Sequence, residues 1–336
     1  MTVDNRVPKI SIIILVYNVE RYVEKCMRSL FGQTFEDIEF IIIDDGSSDK
    51  SIDIVKNLLD YYPNRKENVK IIIHEKNLGT SVSRRQGILE ARGEYVIYCD
   101  SDDWVEPNMF ETMYSVAKKR DADLVSCGCF IHTSKGVIEK KHISENELNN
   151  FKIDNLEGVL YSSLWDKLVK RSLIVDNKIL PFENINYWED LGMTIRMRFF
   201  SKKTICIQNI FYNYNKLNDS SLCTTFSFEN ILEQVNCARE IEKFFIDQNS
   251  EKRYSLELNY LKFISKNRLF GYDKNVCNFK LWKSIYPESH DDIWKYKNIS
   301  FSRKLACFIA LKMNSEDFPW IIRALWFLKQ RLFKYL

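Results

Sequence analysis

The sequence predicts an α/β protein with an open, doubly wound, mainly parallel sheet, continued by a mainly helical C-terminal region. Three observations predict this. Strand-like and helix-like segments alternate from residue 10 to about 130, the pattern of parallel strands joined by crossover helices. The strand-like runs are continuously apolar, as strands covered on both faces are. Beyond Phe226 the spacing turns helical, in FENILEQVNCAREIEKFF and LELNYLKFISKNRL.

The elements follow in order. ISIIILV, residues 10–16, is the first buried strand. VERYVEKCMRSL then sets Val19, Tyr22, Val23, Cys26, Met27 and Leu30 on one side of a helix. IEFIII, 38–43, is the second strand and ends at DDGSSD, where Ser48 or Asp49 can cap a helix with Ile52, Val55, Leu58 and Leu59 inward. VKIII, 69–73, is the third strand, and NLG turns into a helix running through Ala91. GEYVIYC is the fourth strand, Pro107 opens a helix at its first turn, and DLVSCGC is the fifth strand. IHTSKGVIEKK then reads as a hairpin, NYWEDLGMTIRMRFF as a helix and TICIQNIFYNYN as one or two strands.

Composition narrows the function. A net charge of +3 over 336 residues is too balanced to suggest, on its own, a nucleic-acid binder. The nine cysteines form no CxxC pair, and Cys127 and Cys129 flank a single glycine, poor spacing for zinc. They read as buried thiols of a reducing compartment. The run Ile10–Val16 is too short for a signal peptide, and no stretch reaches the ~20 apolar residues of a membrane span. A cytoplasmic location is expected.

In doubly wound sheets ligands collect beyond the carboxyl ends of the strands. VYN, DDGS and DSDD all fall there. One Asp-rich turn alone is ordinary turn chemistry; three at one sheet edge indicate a site. Asp100, Asp102 and Asp103 crowd four positions, so their repulsion calls for water, a basic partner or a metal ion. An Asp-x-Asp pair suits Mn²⁺ or Mg²⁺ bridging a diphosphate.

IIILVYN, DDGSSD, NLGTSVSRR and GEYVIYCDSDDW, in this order and spacing, resemble the family 2 glycosyltransferases of the GT-A fold. The similarity is strongest to bacterial enzymes of capsule, O-antigen and exopolysaccharide assembly. It is close over residues 8–130 and looser through SLWDKLVKRSL and the WED stretch to about 225. It implies a GT-A catalytic domain over 1–225, with a nucleotide-binding half (about 8–130) and an acceptor half (about 131–225), then a helical region over 226–336. The implied reaction is inverting transfer of a sugar, UDP-linked hexose or N-acetylhexosamine, to a glycan or lipid-linked acceptor. Tyr17 is implied to lie against the base, Asp45 to accept from the base ring N–H, Asp44 to hold that turn and Arg84 to reach the nucleotide. Asp100 is placed near ribose and metal, with Asp102 as the direct metal ligand. Asp103 is either a further ligand or the cap of the following helix, the cap being favoured. For Arg84 the alternative is an exposed helix residue.

An inverting transfer needs a base on the acceptor side. The resemblance assigns Asp190 as that base, with Glu189 orienting it or binding acceptor hydroxyls. The alternative is two first-turn carboxylates complementing a helix dipole. Trp188 is a candidate for stacking on a sugar; Trp165 and Lys167 are candidates for supporting the acceptor side. Relatives often carry His or Arg before a Ser-containing closing segment. Here the stretch reads YNYNKLNDSSLCTT, leaving Lys216 and Ser221 as candidates. None of His74, His132, His142 and His290 reads as a metal ligand, and His74 reads as structural. The segment 318–336 lacks acidic residues and is rich in aromatics, which suits contact with an anionic membrane surface or with a partner subunit. Two other functions share parts of this pattern, a metal-dependent nucleotidyltransferase and a non-catalytic sugar-nucleotide-binding scaffold. The missing Gly-rich loop after the first strand counts against the former, the full set of carboxylates against the latter.

Overall fold

The four apolar runs form parallel strands β1 (Ile10–Val16), β2 (Ile38–Asp44), β3 (Val69–Ile73) and β4 (Tyr95–Asp100). They belong to a computed structural model that describes residues 7–141, 162–218, 227–270 and 278–312. The chain divides into two units, Met1–Phe151 with Glu157–Thr225, and Lys152–Leu156 with Phe226–Leu336. The first unit adds β5 (Trp104–Val105), β6 (Leu124–Thr133), β7 (Gly136–Lys140), β8 (Lys167–Lys170) and β9 (Thr204–Asn215). Its helices are α1 (Val23–Phe31), α2 (Ser51–Leu58), α3 (Pro63–Lys66), α4 (Thr80–Glu90), α5 (Met109–Arg120), α6 (Arg171–Asp176) and α7 (Glu189–Phe200).

The strand order is β3-β2-β1-β4-β8-β6-β9-β5, with β7 paired to β6 as the expected hairpin. The α/β class and the four-strand parallel half agree with the sequence. The fifth strand does not extend that half as a neighbour of β4. β8 lies between β4 and β6, antiparallel to both, with Val169 opposite Val96 on one side and Leu124 on the other. Only four residues long inside SLWDKLVKRSLI, it is too short to show a period of its own.

Alternation across the sheet explains the apolar runs. Ile10, Ile12, Ile14 and Val16 pack with Val23, Met27 and Leu30 of α1 and Met109, Phe110 and Met113 of α5. Ile13, Ile41, Ile43, Val96 and Tyr98 pack on the opposite face with Ile88 of α4 and Met193 and Met197 of α7. Successive residues point to opposite faces, so a strand covered twice must be apolar throughout. The arrangement also puts α4 and α7 on the same face. β3 is the edge strand, and Ile73 is accordingly 53% exposed. α5 starts at Met109, two residues after Pro107. Pro107 stays outside the helix, its carbonyl accepting from the Thr34 N–H at 3.0 Å.

The second unit is helical among its described residues: α8 (Phe228–Asp247), α9 (Ser255–Ser265), α10 (Phe279–Ser284) and α11 (Phe301–Lys312), with short 3₁₀ turns. Ser227 and Asn230 form a reciprocal capping box at the start of α8. Lys266 is fully buried; its ammonium donates to the Ile285 and Tyr286 carbonyls and to His290 Nε2. Ser221, His142 and the segment 318–336 lie outside the described residues. Among those described, no helix is long and apolar enough to cross a membrane, and seven cysteines are buried free thiols.

Candidate active site

Register brings the motifs together. Val16 is opposite Asp44, and Leu15 is opposite Asp100, so the ends of β1, β2 and β4 form one edge. The turn after β1 and the DDGSSD turn are laced to each other. Asn18 N–H donates to Ser47 Oγ (3.1 Å), Val19 N–H to Ser51 Oγ (2.9 Å) and Glu20 N–H to Asp49 (3.0 Å). In return Asn18 Oδ1 accepts from Ser48 N–H (2.8 Å), and Glu20 accepts from Lys50 N–H (3.1 Å). Asp49 accepts from Ser51 N–H at 2.9 Å, closing the first turn of α2. Tyr17, 47% exposed, stands at this edge with an open aromatic face. Asp44 is buried and accepts from Ser47 N–H at 3.1 Å.

Asp45 organises the next turn. Its Oδ1 accepts from Leu78 N–H (2.9 Å) and contacts His74 Nδ1 (2.7 Å), while Oδ2 accepts from Gly79 N–H (2.9 Å). Two carboxylate oxygens offer about four acceptor sites, so one on Oδ2 stays open. His74 also meets Gln86 Oε1 at 2.5 Å. Burial lowers its pKa, but the hydrogen bonds to Gln86 and Asp45 and the charge of Asp45 outweigh that and raise it.

The three crowded aspartates are held by different partners. Two like charges ~5 Å apart repel by about 3 kcal/mol near a protein surface. Asp100 is partly exposed and lies 3.5 Å from Arg84 Nη2. Asp102 Oδ2 accepts from Asn218 Nδ2 at 2.8 Å. Asp103 is buried; it accepts from the Tyr212 hydroxyl (2.7 Å) and from Asn215 N–H (2.7 Å). Asp103 therefore does not cap α5: its side chain fastens the turn to β9. Burial, then the Asp100 charge, raises the Asp102 pKa. Asp103 is pushed well up by burial and by both neighbours. Asp102 thus has the neutral Asn218 amide as its hydrogen-bond donor and lies within the field of the Asp100 charge. Among the described residues no three His, Cys, Asp or Glu side chains surround a common point. A Mn²⁺ or Mg²⁺ ion that keeps its waters and substrate phosphates needs only one or two carboxylates, and Asp102 with Asp100 fits that requirement.

Arg84 connects this corner to the WED motif. It is not an exposed helix residue. At 8% exposure its Nε donates to Glu189 Oε1 at 3.1 Å and its Nη2 faces Asp100, with the guanidinium 4.9 Å from the Tyr98 ring centre. Its Nη1 is buried without a hydrogen-bond partner. Burial opposes the charge on Arg84, yet Glu189 and Asp100 outweigh it and raise its pKa. Burial also raises the Glu189 carboxyl, with Asp190 adding to the rise and Arg84 opposing it. Asp190 is raised chiefly by burial, and it accepts from Leu191 N–H at 2.6 Å. Glu189 and Asp190 occupy the first turn of α7, as expected. Trp188 precedes them at φ 75° and ψ 15°, a left-handed conformation that costs a bulky residue about 1–3 kcal/mol.

Trp165 and Lys167 do not reach the surface. Trp165 is 5% exposed and stacks on Tyr212, ring centres 4.1 Å apart at 13°. Lys167 is 3% exposed and donates to Asp166 (2.7 Å) and to the Ser163 carbonyl (2.7 Å). Trp165 packs on β9 and Lys167 is tied to its own segment through Asp166 and Ser163, so both are buried away from an acceptor. Lys216 is exposed, its ammonium 5.6 Å from the Tyr214 ring centre. Sequence reading missed Tyr212, Asn215 and Asn218 as the anchors of the acidic turn. The signal was the Asn213–Asn215 alternation, which sets two buried amides at the end of the strand.

The glycosyl transferase family 2 model matches residues 11–168. The chain is 30% identical over 300 residues to the cholesterol galactosyltransferase of Borreliella burgdorferi, covering 83% of this chain and 80% of that protein. It is 27% identical over 312 residues to glycosyltransferase GlyG of Streptococcus pneumoniae, covering 88% and 95%. In fold it is similar to S. aureus TarS 1-349 in complex with UDP-GlcNAc, with a TM-score of 0.60 at 18% identity over 89% of this chain and 91% of that one.

Proposed function

The chain belongs to glycosyl transferase family 2, and from that premise we propose an inverting enzyme that moves a hexose or N-acetylhexosamine from a UDP donor. The acceptor is a glycan or lipid-linked oligosaccharide of bacterial surface polysaccharide synthesis. The observation that carries this reading is the chain Asp100–Arg84–Glu189, which sets a strand-end acidic turn beside a pair of helix-start carboxylates. The names of GlyG and of the galactosyltransferase, and the UDP-GlcNAc bound to TarS, support the reaction class and the donor.

The residues divide the chemistry. Tyr17 covers one face of the uracil, and the open position on Asp45 accepts from its imide N–H. Asp190 takes the proton of the acceptor hydroxyl as that oxygen attacks the anomeric carbon from the side opposite the diphosphate. The bond from anomeric carbon to phosphate oxygen breaks, and its electron pair leaves with UDP. Glu189, tied to Arg84, orients the acceptor. Asp102 and Asp100 would hold a divalent ion, which would supply positive charge to the leaving diphosphate. The basic segment 318–336 would keep the enzyme at the membrane face, where a lipid-linked acceptor resides.

A donor panel of UDP-glucose, UDP-galactose and UDP-N-acetylglucosamine, scored for Mn²⁺-dependent UDP release, tests the reading. Asp102→Ala should lose Mn²⁺-dependent UDP binding. Asp190→Ala should bind UDP normally and slow turnover by about 10²–10⁴-fold. Transfer of a nucleotidyl group to pyrophosphate would favour a nucleotidyltransferase, and no release with any donor would favour a binding protein.

A further inference from the structure

We infer that Asn186 is a positioning residue that locks the Glu189–Asp190 pair onto the nucleotide-binding turn, by capping helix α4 from more than a hundred residues away. The inference rests on the base assignment made above for Asp190.

α4 begins without a cap of its own. Its N-cap residue is Gly79, which has no side chain to offer. The first N–H groups of a helix need partners from outside it. Here the Ser81 N–H donates to Asn186 Oδ1 at 3.1 Å, the bond an N-cap side chain would normally make. Thr80 Oγ1 donates to the Asn186 carbonyl at 3.1 Å, and Ser81 Oγ donates to the Ile185 carbonyl. Gly79 sits at φ +91°, and a Cβ there would collide with the Asn186 amide. The absent side chain is what lets Asn186 into the cap position.

Asp45 holds the same turn from its other side through the Leu78 and Gly79 N–H groups. One turn of backbone therefore lies between the carboxylate that faces the nucleotide and the loop that enters α7. From Asn186 the chain reaches Glu189 in three residues, through Trp188 at φ 75°. A bulky residue stays in that region only where its surroundings over-determine it. Asn186 fixes the loop before Trp188, and the Arg84–Glu189 ion pair fixes it after. Released at Asn186, Trp188 can relax and carry both carboxylates with it. A displacement of about 1 Å at a reacting group costs about 10²-fold in rate.

The test uses the full chain with Mn²⁺ and the donor of highest turnover in the panel, with water as acceptor, because water also must be deprotonated. Asn186→Leu keeps the size and removes the acceptor oxygen; kcat for UDP release should fall about 10–10²-fold while the calorimetric Kd for UDP stays within about twofold. Asn186→Asp keeps an oxygen opposite the Ser81 N–H and should recover most of kcat, which also covers the case of a poorly folded leucine variant. Wild-type kcat in Asn186→Leu, with Asp190→Ala inactive, overturns the inference and leaves the base assignment standing. Equal loss of UDP affinity and kcat, or no recovery in Asn186→Asp, also overturns it, since Asn186 would then be part of the nucleotide turn's stability alone. Normal release by Asp190→Ala overturns the base assignment and this inference with it.

Discussion

Replacing Arg84 by methionine preserves most of its volume and removes its charge. Glu189, 7% exposed, then loses the cation 3.1 Å away while Asp190 stays beside it. Removing one partner of a buried ion pair costs about 3–5 kcal/mol. Glu189 can escape part of this by binding a proton, so the lower figure applies near neutral pH. For a unit of this size that is a fall in Tm of about 6–12 °C. The pH dependence gives the sharper signature. The Glu189 carboxyl is already raised above its ordinary 4.5 by burial. An acid raised in the folded state contributes stability that is complete below its unfolded pKa and is lost as pH rises through the folded value. Without Arg84 the rise is larger, so R84M should lose stability more steeply above pH 4.5 and approach wild type at acid pH. Thermal melts between pH 4.5 and 8 measure this. A variant that melts with wild type at pH 8, or a gap that widens on acidification, would refute the reasoning.

Tyr212→Phe removes the hydroxyl that donates to Asp103 (2.7 Å) and accepts from Asp100 N–H (3.1 Å). It should cost about 1–3 kcal/mol in urea unfolding and weaken Mn²⁺-dependent UDP binding, as seen by calorimetry. His74 has a raised pKa, so its contribution is complete below its ordinary 6.5 and fades as pH rises through the raised value. The stability advantage of wild type over His74→Gln should therefore shrink from pH 6.5 to 8.5 in thermal melts.

The parallel half of the sheet was readable because each strand is a long apolar run with its own turn chemistry. Ile12 and Ile13 pack on opposite faces, which is why ISIIILV carries no alternation. The convergence of VYN, DDGSSD and DSDD followed from strand polarity alone. β8 was not readable: four residues enclosed by β4 and β6 take their conformation from those neighbours rather than from local preference. The burial of Arg84 was not legible, because the partners that bury it, Asp100 and Glu189, are 16 and 105 positions away. Asp103 had an ordinary local explanation as a helix cap, and a strand beginning a hundred residues later overrides it.

The lacing of the acidic turn to β9 has a consequence for the newborn chain. Asp103 is held by residues 109 and 112 positions downstream, and Asp102 by one 116 positions downstream. The Asp45 side chain reaches its partners His74, Leu78 and Gly79 within 29 to 34 positions. During synthesis the Asp45 contacts can therefore form early, ahead of the Asn186 cap on the same turn, while the Asp100–Asp103 turn stays unanchored until β9 has been made.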